Sequence, residues 1–216
     1  MRVIGHLILL TILAGILAAP VYATDSSRDV RAVKSKPVIR GGIVFRTYCS
    51  FCHGQDGKGN KHAATLYNIK KLMIKTGDPV YFEKITREGG EAIGKSKYMP
   101  PWRDELSAEQ ISDVVAYMSV LNDQVERGRA VFLTNCILCH GVKGNGKGRA
   151  SVLYNPPPAN LIKSDKNESY MRSIITMGGK AMGRSEVMPI WGEQISAEEI
   201  DDVIQFLRKV IVENPQ

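Results

Sequence analysis

Shifted by 87 residues, the chain falls on itself, and this internal repeat constrains the fold more than any other feature. Gly41 lands on Gly128, Phe45 on Phe132, and Gly54, Gly57 and Gly59 on Gly141, Gly144 and Gly146. Leu66-Tyr67-Asn68 lands on Leu153-Tyr154-Asn155. Beyond that point the offset is 89: Tyr81 meets Tyr170, Gly89-Gly90 meet Gly178-Gly179, Met99-Pro100 meet Met188-Pro189, Trp102 meets Trp191, and Ser107-Ala108-Glu109 meet Ser196-Ala197-Glu198. Two extra residues between Asn155 and Tyr170 account for the change, and the sequence suggests the run Pro156-Pro157-Pro158 as their place. One unit of about 80 to 90 residues is written twice.

Each copy closes on a stretch with helical spacing. Ser107 and Ser196 stand as N-caps with Gln110 and Glu199 three residues on, a capping box in each copy. Ile111, Val114, Val115 and Met118 then recur on one face of the first, and Ile200, Val203, Ile204 and Leu207 on one face of the second. Residues 41–53 and 128–140 also read as helices, each leading into a Gly-rich loop. Only Asn122, Asp123 and Gln124 look like linker, too short for free swivelling, so the copies are expected to pack in a fixed relation. The expected divisions are 24–39 as an N-terminal extension, 40–122 and 123–212 as the two domains, and 213–216 as a tail.

Residues 1–23 differ from the rest. Arg2 is their only formal charge, residues 4–19 are mostly apolar, and Val21-Tyr22-Ala23 offers a cleavage site, which reads as a signal peptide. The alternative is an uncleaved anchor, since the apolar run falls just short of the ~20 residues that span a bilayer. Both readings put the remainder outside the cytoplasm, periplasmic and either free or tethered to the inner membrane. The net charge of +7 is uneven, because residues 24–122 carry 16 basic and 11 acidic side chains. These are scattered, with no Arg-rich helix or interleaved aromatics, so nucleic acid is a poor partner and an acidic protein a better one.

All four cysteines sit in one word used twice, Cys49-Ser50-Phe51-Cys52-His53 and Cys136-Ile137-Leu138-Cys139-His140. Cysteines three apart emerge on one helix face with the histidine beside them. This geometry suits two thioether bonds to a haem, with His53 or His140 on the iron. A four-cysteine zinc ribbon would place its pairs closer together and needs no histidine after each, and a disulfide within CxxC closes too small a loop to stabilise much.

The sixth iron ligand is nominated by the repeat. Among eight methionines only Met99 and Met188 are repeat-equivalent, each before a proline and three residues ahead of a tryptophan. Proline biases the preceding residue towards extended backbone, which presents a thioether from a loop. Met73, Met118, Met177 and Met182 read as core filler, with Met177 and Met182 as fallback ligands for the second haem, and His62 reads as a surface histidine. A filled coordination sphere argues against substrate chemistry at iron, so the chain is read as an electron-transfer protein with no catalytic residues. A peroxidase needs an open iron, and a thiosulfate dehydrogenase-like site needs a fifth cysteine, which the chain lacks.

CSFCHGQDGKG with YMPPW, and CILCHGVKGNGKG with PPPANL and VMPIW, resemble class I cytochromes c in tandem, similar to the dihaem c-four kind and to the cytochrome c domains of cbb-type oxidases. The resemblance implies an all-α fold of two small helical bundles, each wrapped around one covalently bound haem c, with His and Met as iron ligands. It also implies that Gly41 and Phe45 meet Tyr117, and that Gly128 and Phe132 meet Phe206. The first copy departs by having Asn68-Ile69-Lys70-Lys71 in place of the prolines, which leaves its haem more exposed or differently tuned. The leading functional expectation is a periplasmic dihaem carrier moving single electrons between a quinol-oxidising complex or dehydrogenase and a terminal oxidase or reductase. The alternative is a dedicated cytochrome subunit of a membrane-bound or periplasmic oxidoreductase complex.

Overall fold

The computed structural model describes residues 36–68, 74 and 77–212. The expected signal peptide, most of the N-terminal extension, Met73, Ile69-Lys70-Lys71 and the tail lie outside the described residues. The described residues contain helices and no strand. In the first copy these are α1 (Pro37–Val44), α2 (Ser50–His53), α3 (Lys61–Leu66), α4 (Pro79–Glu88) and α5 (Ala108–Ser119). In the second they are α6 (Gln124–Asn135), α7 (Ile137–His140), α8 (Glu168–Ala181) and α9 (Ala197–Phe206).

The starts follow from local chemistry. Pro37 and Pro79 supply a preset φ at the first helical turn, where no amide partner is needed. The expected capping boxes form at both Ser107/Gln110 and Ser196/Glu199. Asp78 and Asn167 cap α4 and α8, each taking a backbone N–H at 2.9 Å. Helix α8 is broken at Gly178, whose φ of 77° no side chain adopts readily, so its straight part matches α4, which ends at Gly89 with φ 81°.

In each domain the first helix crosses the last. A Cβ on Gly41 would lie 1.9 Å from the Asp113 carbonyl oxygen, and one on Gly128 would lie 1.9 Å from that of Asp202. Only glycine allows such an approach. Beside each crossing two rings meet, Phe45 with Tyr117 at 5.4 Å and Phe132 with Phe206 at 5.3 Å between centroids, as the resemblance implied. Each crossing also carries a bidentate ion pair that the repeat alignment did not single out. Arg40 donates to Asp113 at 2.6 and 2.7 Å, and Arg127 donates to Asp202 at 2.7 and 2.8 Å.

The two domains form one contiguous apolar core. Asp123 is the N-cap of α6 and Gln124 its first residue, so the expected linker is almost entirely absorbed into helix. The domains then touch through α1 and α6, where Tyr117 and Ala130 close over Gly42. Arg46 reaches Glu199 at 3.4 Å, and the Arg127 guanidinium donates to the Leu121 carbonyl at 2.6 Å. The fixed packing expected from the short linker is present.

The two extra residues do not sit at the prolines. Ile74 donates its N–H to Gly57 O, and Leu161 donates to Gly144 O, both at 2.7 Å, so the offset is still 87 past Pro158. By the caps Asp78 and Asn167 it is 89. The insertion therefore falls within 162–166, a window that opens in the short turn Leu161–Lys163 and runs up to the cap of α8.

Candidate haem sites

Helix α1 widens at Phe45–Cys49 to hydrogen bonds that span five residues, with Ser50 N–H on Phe45 O, before α2 carries the chain to His53. All four cysteines are half-buried and unbridged. Burial pushes the Cys49 thiol up to about 12, and the neighbouring Cys52 adds to it; Cys136 is pushed up to about 12 by burial and by Cys139. Burial also raises Cys52 and Cys139, the latter opposed by a hydrogen bond from Tyr154. A thioether sulfur is uncharged and tolerates this burial, whereas a free thiolate would not. The two pairs also do not converge, since no group of three His, Cys, Asp or Glu side chains suited to a metal ion forms among the described residues.

The histidines are fixed by the glycine loop that follows. Gly59 donates to His53 O at 2.7 Å and Gly146 to His140 O at 2.9 Å. In the second domain His140 Nδ1 lies 3.1 Å from Ala159 O, so Nδ1 carries the proton and Nε2 keeps its lone pair. Burial lowers the His140 pKa, while the Ala159 carbonyl opposes this, and the result is the neutral imidazole that a metal requires. Ala159 closes the Pro156-Pro157-Pro158 run, and a Cβ on Gly146 would lie 2.5 Å from Pro158 O, so the proline segment backs the histidine. Its counterpart in the first domain falls largely within 69–73, outside the described residues.

The methionine loops are clamped by paired glycines. Gly90 donates to Met99 O at 2.8 Å and Gly179 to Met188 O at 3.1 Å. A Cβ on Gly90 would lie 2.2 Å from Ser96 O, and on Gly179 2.1 Å from Ser185 O, so neither loop could settle over another residue. Met99 and Met188 are both half-buried. Of the expected filler, Met118 is buried, but Met177 is 44% exposed because Ile174 and Ile175 take the inner face of α8 just before its break. Met182 is half-buried in the turn beyond that break, and His62 is exposed as expected.

The residues present fit a haem in each domain. Phe51, Leu66 and Tyr98 in one domain and their equivalents Leu138, Leu153 and Val187 in the other are 50% exposed or more, large apolar side chains left uncovered at the same repeat positions twice. Such exposure suits a flat apolar macrocycle held between a CxxCH helix and a methionine loop. The buried Trp102 Nε1, three residues past Met99, has no hydrogen-bond partner among the described residues, and a haem propionate is the kind of acceptor it lacks.

Two helical units of this kind, each with CxxCH and a clamped methionine loop, define a dihaem c-type cytochrome carrying two covalently attached haems. The chain belongs to the family described as cytochrome c oxidase, cbb3-type, subunit III, whose model matches residues 37–118 and again 123–207. It is similar to the cbb3-type cytochrome c oxidase subunit FixP of Sinorhizobium medicae, 29% identical over 181 residues, which covers 80% of this chain and 60% of the relative. It is also similar to the subunit CcoP of Azospirillum brasilense, 24% identical over 92% of this chain and 69% of the relative. FixPc of Rhizobium leguminosarum is 24% identical over 90% of this chain and 67% of the relative. The chain thus spans about 60 to 70% of the length of these curated relatives. No helix among the described residues is long and apolar enough to cross a membrane.

Proposed function

We propose that the chain is the dihaem electron-transfer subunit of a cbb3-type terminal oxidase, working at the periplasmic face of the inner membrane, rather than a freely diffusing carrier. The observation that carries this reading is the match of one oxidase-subunit family to both domains, together with curated relatives that are themselves oxidase subunits. Residues 1–23 then serve either as a cleaved export signal or as a tether, and domains at 40–122 and 123–212 carry the redox groups; α1 and the family match both begin at Pro37, which favours moving the first boundary to 37.

Cys49 and Cys52, and Cys136 and Cys139, take the two thioether bonds of each haem. His53 with Met99, and His140 with Met188, would ligate the two irons. When bound, each haem supplies a one-electron Fe(III)/Fe(II) couple. The chain's part is to keep the ligands still. The glycine loop holds the histidine from one side, the Gly-Gly clamp holds the methionine loop from the other, and Trp102 and Trp191 pack beside that loop against the core. No side chain is asked to move a proton, and with both ligands in place the iron would offer substrate no position.

Two measurements test this. Haem content should be two per chain, and the weak far-red absorption of Met-to-Fe(III) ligation should fall by half in Met188→Ala and vanish when Met99→Ala is added; an unchanged band removes these ligands. In detergent extracts of the native membrane the chain should co-purify with a terminal oxidase at one to one. Recovery in the soluble periplasm without that complex would return the free-carrier reading.

A further inference from the structure

The two methionine loops share a backbone but not a charge. Lys95-Ser96-Lys97-Tyr98 precedes Met99 where Arg184-Ser185-Glu186-Val187 precedes Met188. Lys95 and Lys97 are exposed and form no ion pair among the described residues, whereas Glu186 pairs with Lys180 at 3.5 Å and Arg184 donates to the Tyr170 hydroxyl at 3.1 Å. Tyr98 packs at a tilt against Tyr67, with ring centroids 5.4 Å apart, which ties the methionine loop to the end of α3. The exposed Lys61 opens that same helix, at the position Gly148 holds in the second domain. Several carboxylates of the first domain are already neutralised: Asp56 by Lys58, Glu83 by Arg87 and Glu88 by Arg103. Glu91, at the base of the loop, offsets only part of the excess.

We propose that this rim, Lys95 and Lys97 beside the Tyr67–Tyr98 pair, is the face on which an acidic one-electron protein docks, so that domain 1 is the outer port of the relay and domain 2 the inner station. The proposal rests on the electron-transfer reading above. The occupant is chosen by charge: a basic rim beside the exposed Tyr98 and the half-buried Tyr67 recruits a partner with carboxylates around its own redox edge. The second loop, with glutamate and valine at the matching positions, offers no such attraction.

The probe is plastocyanin, an acidic blue-copper protein, whose Cu(II) takes one electron from the dithionite-reduced, haem-loaded full chain. At about 0.01 M ionic strength, where the Debye length is about 30 Å, the transfer rate of Lys95→Glu/Lys97→Glu should fall about ten-fold and that of Lys95→Gln/Lys97→Gln by less; at about 1 M salt the variants should converge. The same variants should weaken the shifts of plastocyanin amides on mixing with both proteins oxidised, when no electron can pass. Lys143→Glu/Lys163→Glu, an equal charge change in domain 2, should alter the rate less than two-fold. Three results overturn the port: no fall in the domain 1 variants, an equal fall in the domain 2 variant, or loss of binding to anionic phosphatidylglycerol vesicles with the plastocyanin rate unchanged. A c-type spectrum that fails to cycle between dithionite and ferricyanide would instead remove the electron-transfer reading, and the port with it.

Discussion

The two domains answer the same backbone problem identically and the same surface problem differently. At the helix crossings the glycine, the ring pair and the Arg–Asp pair recur with distances that agree to about a tenth of an ångström. At the edges the agreement stops. Arg127 is 7% exposed and also bonded to the Leu121 carbonyl, while the Arg40 side chain is 35% exposed and also reaches the surface Glu109. Tyr98 and Lys97 become Val187 and Glu186. What the repeat preserves is the helix crossing, and what it lets drift is the outer surface.

The identical crossings should break identically. Gly41→Val and Gly128→Val each drive a side chain into a carbonyl 1.9 Å away, which the facing helix can relieve only by moving. Each should cost at least about 4 kcal/mol, enough to prevent the affected domain from folding. Thermal unfolding of the haem-loaded chain followed by far-UV circular dichroism checks this, and a Gly41→Val protein with normal melting would mean that the crossing is not as close in domain 1 as in domain 2.

The ion pairs should then separate the domains. Arg127→Met strands Asp202 in a buried site and should cost about 3 kcal/mol, whereas Arg40→Met leaves Asp113 beside solvent-accessible neighbours and should cost distinctly less. The pH dependence has a definite sign. Burial pushes the Asp202 carboxyl up and Arg127 pulls it back, so without the arginine its folded pKa stands further above the unfolded value. A raised pKa gives stability at low pH that is lost as pH rises through it. The Arg127→Met deficit should therefore shrink as pH falls into the carboxylate range, as read from urea midpoints at successive pH values. A constant deficit would locate the damage in packing rather than in the stranded charge.

How much of this could be read from letters depends on what kind of group does the work. The CxxCH words, the two methionine loops and the paired glycines stood out in the sequence because each is written twice with the same residue types. Asp78 and Asn167 were not matched, since either residue caps a helix, and that interchange hid the true place of the two-residue insertion. The Ala159 carbonyl, which orients His140, leaves no letter at all because any residue carries it. Arg40 and Asp113 recur faithfully as Arg127 and Asp202, yet the offset differs between the two members of the pair, 87 and then 89. A repeat read at one offset shows two unrelated charged residues, and only the crossing brings them together. Met177 misled for the opposite reason: an apolar letter at helical spacing promises a core, but its helix ends one residue later.

The capping boxes give the finest separation of the two domains. In domain 1 the box uses Gln110, whose side chain accepts from Ser107 N at 2.9 Å and touches no charge of the other domain. In domain 2 Glu199 accepts from Ser196 N at the same 2.9 Å but is also buried and reaches Arg46 of domain 1 at 3.4 Å. Glu199→Gln therefore swaps in the residue that domain 1 already uses, keeps the cap, and removes only the charge across the interface. The half-buried Arg46 and the long contact limit the loss to about 0.5 kcal/mol, and it should fade in high salt. Glu199→Ala removes the cap as well and should cost about 1 kcal/mol more, a part that salt leaves unchanged. If both substitutions cost the same at every salt concentration, the carboxylate serves the helix alone, and the domains are held together by the apolar contact around Gly42, Tyr117 and Ala130 without help from charge.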